Sequence, residues 1–281
     1  MAPKVCFLET SALIDLCFRK GQHEALSRET ATPAVRVTNN YVRMEIKRGV
    51  LQYLVYLHSV LVNSTKYSEV YRVINRVHQQ RYRQGTVAET LEALWEEIGK
   101  ESTGALSLDS YVLKKVKDFL VLHAYRLWNA VTSTLVDGAS PNLMACYEDI
   151  KGLTVNDKTG SLENVAGSRC TSSKLECNLK GFLRERKPEL EKVLEKLDSL
   201  HERDPEQAKS RTHLKEALKK CESWKHALSN KEGYQTCWSC GDIIITISAP
   251  EDATICTSNT KHFAPLCEAT GRHLFPSHSE D

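Results

Sequence analysis

The chain has 281 residues, which is enough for one large domain or for two smaller ones. Hydrophobic residues make up 41% of it and charged residues 26%, the ordinary balance of a soluble protein with a sizeable core. The formal net charge is +2, so the overall charge does not indicate a nucleic-acid binder, and any such surface must be a local basic patch.

The N-terminal segment lacks the pattern of a secretory signal peptide. Glu9 and Asp15 interrupt its apolar stretch, and no small-residue cleavage site follows. The longest apolar run, 51–62, is shorter than the roughly 20 residues that a membrane-spanning helix needs. We therefore expect a soluble, cytoplasmic protein with no membrane partner.

A short strand, a turn and a helix are predicted near the start of the chain. Residues 4–8 form an apolar run with a β-branched and an aromatic residue, which is typical of a buried strand in a parallel sheet. Thr10 and Ser11 then offer the side-chain oxygens that cap helices, and the apolar pattern after them predicts a helix over 12–20.

A second strand and helix follow in the same order. Residues 34–38, directly after Pro33, predict the strand. Asn39 and Asn40 can cap a helix that begins near Tyr41, with Gly49 near its end.

The segment 58–232 is predicted to be mainly helical and interrupts this pattern. Within it, residues 151–181 are rich in Gly, Ser, Thr and Asn and predict a loop region. The last two helices form a hairpin whose charged face is typical either of a solvated surface or of a binding surface. Helical patterns occupy residues 67–83, 87–100, 110–136, 187–201 and 208–228.

From residue 233 the strand and helix pattern returns. By propensity alone, the isoleucine-rich residues 243–249 predict a strand, and residues 253–257 predict another. A short helix is predicted over 260–270, and the polar tail after it is expected to fray.

Three acidic residues and one asparagine stand where predicted strands end or helices begin. Glu9 directly follows the first strand, and Glu45 lies one turn inside the helix after the second. Asp242 opens the segment after the insertion, and Asn259 follows the last strand. Hard divalent cations need several oxygen ligands at one point, and in an open parallel sheet that point lies at the carboxyl ends of the strands.

Each of these acids also has a plain structural explanation. Glu9 and Asp242 stand at helix N-termini, where the helix dipole favours negative charge. Glu45 is explained equally well as a surface residue that pairs with Lys47 or Arg48. The functional interpretation therefore depends on their joint arrangement.

Four segments resemble, in chain order, the motifs of the PIN-domain family of Rossmann-like, metal-dependent nucleases. Residues 5–13 (Val-Cys-Phe-Leu-Glu-Thr-Ser-Ala-Leu) look like the first motif, in which an acid ends the first strand before Thr or Ser. Residues 41–49 (Tyr-Val-Arg-Met-Glu-Ile-Lys-Arg-Gly) look like the second, a helix that carries Glu. Residues 241–249 look like the third, in which Gly-Asp opens a helix, and residues 255–263 look like the fourth, a strand that runs into Thr-x-Asn and then Phe.

This resemblance implies an α/β fold, namely a three-layer PIN-like domain with a parallel sheet and a mainly α-helical insertion. It replaces the strand predicted at 243–249 by a helix. The implied organisation is an N-terminal half, 1–57, the helical insertion, 58–232, and a C-terminal half, 233–281.

The resemblance further implies metal-dependent hydrolysis of RNA phosphodiester bonds, as in a bacterial toxin or an RNA-processing nuclease. It makes Glu9, Glu45 and Asp242 the ligands of Mg²⁺ or Mn²⁺ and adds Asn259 to the catalytic site. Thr10 and Thr257 would support this site by orienting the ligands. RNA is the expected partner, with a cognate inhibitor or another protein contacting the insertion.

Two departures from the family's pattern leave a second function open. Glu9 stands where the family usually has Asp, which lengthens the ligand by one methylene, and Asn259 stands where many members have an acid. The alternative is a catalytically weakened PIN-like protein that binds nucleic acid or acts as a scaffold through its helical insertion.

Ten cysteines in a chain without a secretory signal are expected to be thiols or metal ligands. Cys237 and Cys240 form a Cys-x-x-Cys pair, a common half of a tetrahedral zinc site, and Cys170 and Cys177 are the candidates for the other half. A redox pair and unliganded thiols are the alternatives. Apolar surroundings predict that three further cysteines are buried: Cys6, Cys17 and Cys256.

Other polar residues carry weaker signals. No histidine pair has the spacing of a zinc site and no glycine-rich phosphate loop is present, so neither a histidine-ligated catalytic zinc nor a nucleotide-binding loop is expected. The histidines in the C-terminal part of the chain include four that are scattered: His213, His226, His262 and His273. The basic candidates for phosphate contacts, residues that are more often plain surface charges, are Arg43, Lys47, Arg48 and Lys261.

Overall fold

A computed structural model of the protein describes residues 5–18, 35–66, 68–69, 72, 108–136, 152–158, 161–164, 179–199, 208, 211–212, 214–216 and 237–276. The helix predicted at 87–100 and the tail beyond residue 276 lie outside these ranges, as do most of the helices predicted at 67–83 and 208–228. No helix within the described ranges is both long enough and apolar enough to cross a membrane.

The described strands form one parallel sheet and one small antiparallel hairpin. The order in the sheet is β3-β2-β1-β6-β7, and every neighbouring pair is parallel. This confirms the predicted α/β class with a parallel sheet. The strands are β1 (Val5–Leu8), β2 (Val35–Thr38), β3 (Leu135–Val136), β4 (Leu153–Val155), β5 (Leu162–Asn164), β6 (Thr254–Cys256) and β7 (His273–Phe275).

The described helices lie between these strands along the chain. A five-residue π-helical segment, Lys47–Leu51, joins the second helix to the third without a break. The helices are α1 (Thr10–Phe18), α2 (Asn40–Ile46), α3 (Gln52–Val62), α4 (Leu108–Ser133), α5 (Leu179–Glu185), α6 (Lys187–Ser199), α7 (Gly241–Ser248) and α8 (Thr260–Thr270).

Local signals account for several of these boundaries. The Asn39 side chain accepts a hydrogen bond from the backbone N–H of Val42 at 2.8 Å, which makes it the N-cap of α2, as predicted. Gly271 ends α8 in the left-handed region, with φ of 69°, where a residue without Cβ is not strained. The central strand β1 is apolar, and Cys6, Phe7 and Leu8 are buried.

The helix α7 confirms the helix implied at 243–249 over the strand that propensity predicts. Its isoleucines are buried around much of the helix, so tertiary packing outweighs their preference for strands. Its C-terminal carbonyl groups are satisfied by the buried Arg272, whose guanidinium donates to the carbonyls of Ile247 and Ala249.

The loop region predicted at 151–181 is wrong in part. The strands β4 and β5 pair in antiparallel fashion inside it, and α5 begins before its end. Leu153 and Leu162 are buried, and the backbone N–H of Leu162 donates to Nδ1 of His58 on α3 at 3.0 Å. The hairpin is therefore stabilised by contacts with a distant helix, which composition does not reveal.

The segment predicted as an insertion contributes to the main sheet. The boundary after residue 57 falls inside α3, and segment 58–232 supplies both β3 and α4. β3 pairs with β2, and α4 packs against α1 and α3. The edge of the central sheet is thus built from a segment that the motif pattern does not cover.

Candidate functional site

The candidate site lies where the direction of the sheet reverses. β1 and β6 are neighbours, but the chain continues from β1 towards β2 on one side and from β6 towards β7 on the other. Such a switch point leaves a crevice outside the carboxyl ends of the two strands, where ligands bind in open α/β sheets. Glu9 directly follows β1, and Thr257 directly follows β6.

Glu9 is held by one of its two carboxylate oxygens. Its side chain is buried, with 5% of the residue exposed. Oε2 accepts hydrogen bonds from the Ser11 backbone N–H at 2.9 Å, from the Ser11 hydroxyl at 2.5 Å and from the Thr257 hydroxyl at 2.9 Å. Within the described ranges, Oε1 accepts no hydrogen bond, so it is the oxygen left for a ligand.

The pKa of Glu9 is raised to about 7, mainly because burial disfavours the charged form. The hydrogen bond from the Ser11 hydroxyl lowers it, and the negative charges of Asp242 and Glu45 raise it further. A carboxyl group that served only as a favourable helix N-terminal acid would have a lowered pKa. The three acids therefore lie close enough to repel one another, and this repulsion adds to the free-energy cost of keeping Glu9 charged in the folded protein.

Glu45 is an interior residue of α2. It is 3% exposed, so it is not the surface residue of the plain structural explanation. Its Oε2 accepts a hydrogen bond from the Thr10 hydroxyl at 2.6 Å, so α1 and α2 are joined at the site. The Thr10 hydroxyl thus holds one oxygen of this acid.

Asp242 reaches the site from the first turn of α7. Gly241 lets this turn approach α2 closely, because a Cβ there would lie 3.1 Å from Glu45 Oε1. Asp242 Oδ2 lies 3.3 Å from Nδ1 of His262, on the first turn of α8. Sequence spacing gave no reason to select this histidine, because its partner is on another helix.

Asn259 joins the hydrogen bonds of the site through its backbone and not through its side chain. Its backbone N–H donates to the Thr257 hydroxyl at 2.9 Å. Its side chain makes no capping bond to α8 and, among the described residues, none to a carboxylate. The structure thus brings together Glu9, Glu45, Asp242, Thr10 and Thr257, and it places the backbone N–H of Asn259 on the Thr257 hydroxyl.

Ser11 is a site residue that the sequence presented only as a helix cap. Besides its two bonds to Glu9, its hydroxyl lies 3.1 Å from the Thr257 hydroxyl and accepts from the Ser258 backbone N–H at 2.8 Å. It therefore connects the ends of β1 and β6. Its position two residues after an acid that ends a strand is the local signal for this role.

Two of the basic candidates are engaged inside the protein. The Arg43 guanidinium donates to the carbonyl of Thr134. Lys47 is buried, with its ammonium 4.3 Å from the centre of the Trp128 ring, and burial, followed by the nearby Arg43, lowers its pKa to about 8. Lys261 is exposed on the first turn of α8, and the side chain of Arg48 lies outside the described part of the chain.

The donor set fits a hydrated hard cation better than a cation fully enclosed by protein. No three His, Cys, Asp or Glu side chains in the described part of the chain are arranged as a ready-made metal site. Mg²⁺ usually keeps several water molecules and takes only one or two carboxylates from a protein. Oxygen donors from three acids suit Mg²⁺ or Mn²⁺ and do not suit softer metals.

Only two of the four cysteines predicted to bind zinc lie among the described residues. Cys237 and Cys240 are buried, and burial raises the pKa of the Cys240 thiol to about 12. Cys170 and Cys177 lie outside the described residues, so the four-thiolate site stays a prediction. A four-thiolate site would hold one zinc per chain in purified protein and less in a Cys237→Ser variant, measured by mass spectrometry. A wild-type chain with well below one equivalent would contradict the site.

Chemically, the arrangement offers three carboxylates at the switch point of a parallel sheet. Hydroxyl groups from α1 and from the end of β6 fix two of the acids. Comparisons with protein-family models, with curated proteins and with solved structures gave no match to this chain.

Proposed function

We propose that the chain is a PIN-like, three-layer α/β protein that hydrolyses RNA phosphodiester bonds with Mg²⁺ or Mn²⁺. One observation carries the proposal. Glu9, Glu45 and Asp242 come from three distant segments, and their carboxylates interact at the carboxyl end of the central strands. Acids held in such a crevice are typical of a site that binds a cation.

The energetics favour a functional reason for this arrangement. Burying Glu9 beside two other acids destabilises the folded protein at neutral pH, as its raised pKa indicates. Strongly shifted groups in a crevice are candidates for function because selection for stability alone would remove them. A bound divalent cation would offset the repulsion among the three acids.

Each residue has a defined part in the proposed reaction. Glu9 and Asp242 would hold the cation, and Glu45 would complete the site directly or through water. The cation, when bound, supplies an activated water and stabilises charge on the leaving oxygen. Ser11, Thr10 and Thr257 keep the acids in place by donating to one oxygen of Glu9 or Glu45.

A second candidate function is nucleic-acid binding or scaffolding without cleavage. Two observations favour this candidate over a fully active nuclease. The described acids form no ready-made three-ligand site, and Glu9 uses one oxygen entirely for Ser11 and Thr257. Weakened metal binding would leave a protein that retains the fold and binds RNA without cutting it.

Cleavage of end-labelled RNA by the purified chain separates these candidates. We expect cleavage with Mn²⁺ or Mg²⁺, none with a chelator, and loss of cleavage in Asp242→Asn. Asp252→Asn is the matched control, because Asp252 is exposed in the turn after α7. Cleavage that persists in Asp242→Asn would contradict the nuclease proposal, and RNA binding without cleavage would support the second candidate.

A further inference from the structure

His262 contacts the one site acid that no hydroxyl group holds. It lies on the first turn of α8, and its side chain is 19% exposed. Nδ1 is 3.3 Å from Asp242 Oδ2. In the part of the chain that the structure describes, no other side chain hydrogen-bonds to the Asp242 carboxylate.

Two of the three acids are held in the same way, by a hydrogen bond to one carboxylate oxygen. Glu9 is held at Oε2 by Ser11 and Thr257, and Glu45 is held at Oε2 by Thr10. In each case a donor from a neighbouring element fixes one oxygen. Asp242 completes the pattern only if the imidazole donates to Oδ2.

We propose that His262 is a positioning residue for Asp242, in which the Nδ1–H group holds Oδ2 and directs Oδ1 towards the cation. This role rests on the proposed function. A ligating carboxylate is ordinarily fixed by a second hydrogen-bonding group, and loss of that group weakens metal binding. The need is greatest at Asp242, because its side chain is 28% exposed and is otherwise free to turn into solvent.

The role predicts a dependence on one ring nitrogen. Asparagine places its amide N–H₂ where Nδ1 of histidine lies, whereas glutamine extends beyond it towards the position of Nε2. A contact that only fills space between α7 and α8 would tolerate both amides equally. His262→Asn and His262→Gln therefore form a matched pair.

Calorimetric titration of the full chain with Mn²⁺ tests the proposal. We expect His262→Gln to weaken Mn²⁺ binding about tenfold and His262→Asn to bind nearly as tightly as the unsubstituted chain. His273→Asn is the control, because His273 is exposed on β7. Urea unfolding without metal, on the same samples, separates a local effect from loss of the fold.

Equal losses in both His262 variants, or no loss in either, would overturn the positioning role while leaving the proposed function intact. A His262→Gln loss accompanied by an equal loss in His273→Asn would overturn it too. If the unsubstituted chain binds no Mn²⁺, the proposed function fails, and this role fails with it.

Discussion

At the scale of single residues, Gly241 sets the distance between α7 and α2. A Cβ at this position would lie 2.9 Å from the Tyr41 hydroxyl and 3.1 Å from Glu45 Oε1. The hydroxyl is not free to move away, because it donates to the carbonyl of Cys237. The glycine thus allows Asp242, the next residue, to reach the site.

Gly241→Ala is expected to destabilise the protein although alanine favours helices. Moving Tyr41 or Glu45 aside should lower the free energy of unfolding by about 1–3 kcal/mol. The control is Gly181→Ala on α5, where the nearest atom to a new Cβ, Glu185 Oε1, is 4.0 Å away. Alanine there should stabilise by up to about 1 kcal/mol. Urea unfolding measures both, and a stable Gly241→Ala variant would contradict the close approach.

His123 gives a second prediction at this scale. It is buried on α4, with its ring centre 4.7 Å from that of Phe18 and 4.1 Å from that of Phe119. Burial, and then the charge of Arg126, lower its pKa to about 4, although a hydrogen bond with the Cys17 backbone raises it. The unfolded chain therefore takes up a proton near pH 6.5, before the folded one does.

The contribution of neutral His123 to the free energy of unfolding is fully present above about pH 6.5 and is lost as the pH falls towards 4. Between pH 7.5 and 5 the loss should be about 2 kcal/mol. His123→Phe keeps an aromatic ring but cannot take up a proton, so it should lack this part of the pH dependence. Urea unfolding at the two pH values measures it, and equal losses in both chains would refute the prediction.

At the scale of elements, α7 depends on groups outside its own sequence. The buried Arg272 donates to the carbonyl of Ile247 at 2.9 Å and twice to that of Ala249, at 3.1 and 3.2 Å. These carbonyls have no partner further along the helix, which ends there. A residue just before β7 therefore completes the helix that carries Asp242.

Arg272→Met should leave these buried carbonyls without donors. The expected loss in the free energy of unfolding is about 1–3 kcal/mol. Arg186→Met is the matched control: its side chain is 37% exposed and pairs with Glu189, so the loss should be at most about 1 kcal/mol. Urea unfolding of both variants checks this, and equal losses would show that Arg272 does not serve as a cap.

At the scale of the whole molecule, α4 and β3 pack onto the N-terminal part of the chain. β3 forms the edge of the sheet beside β2, and α4 packs against α1 and α3. The fully buried apolar side chains of α4 recur every three or four positions, as expected for a helix that faces a core. They are Val112, Val116, Leu120, Ala124, Leu127 and Val131.

A chain in which residue 57 is joined directly to residue 233 is therefore expected not to fold. It would cut α3 short and expose the apolar surface that α4 covers, at roughly 25 cal/mol per Å² of that surface. Circular dichroism during urea unfolding should show no cooperative transition, in contrast to the full chain. A cooperative transition with a similar midpoint would show that the two terminal parts form an independent domain.

The sequence by itself determined the elements that carry strong local signals. β1, β2, α1 and α8 lie within a few residues of their predicted positions, because apolar runs, caps and a terminal glycine act over short distances. It also selected Glu9, Glu45 and Asp242 through their positions relative to those elements. β3, β7 and the β4–β5 hairpin were not predicted, because these short strands are defined by their pairing and, unlike β6, do not lie in an apolar run bounded by turn residues.

Only the tertiary structure decided how these pieces meet. Burial and the cap from Arg272 make α7 a helix against the propensity of its isoleucines. The bond from Thr257 to Glu9 spans 248 positions, and the contact between His262 and Asp242 joins two helices. A hydrogen bond depends on distance in space and not on separation along the chain. The local sequence pattern was therefore enough to predict the acids of the site, whereas the residues that hold them could be identified only from the packing of the folded chain.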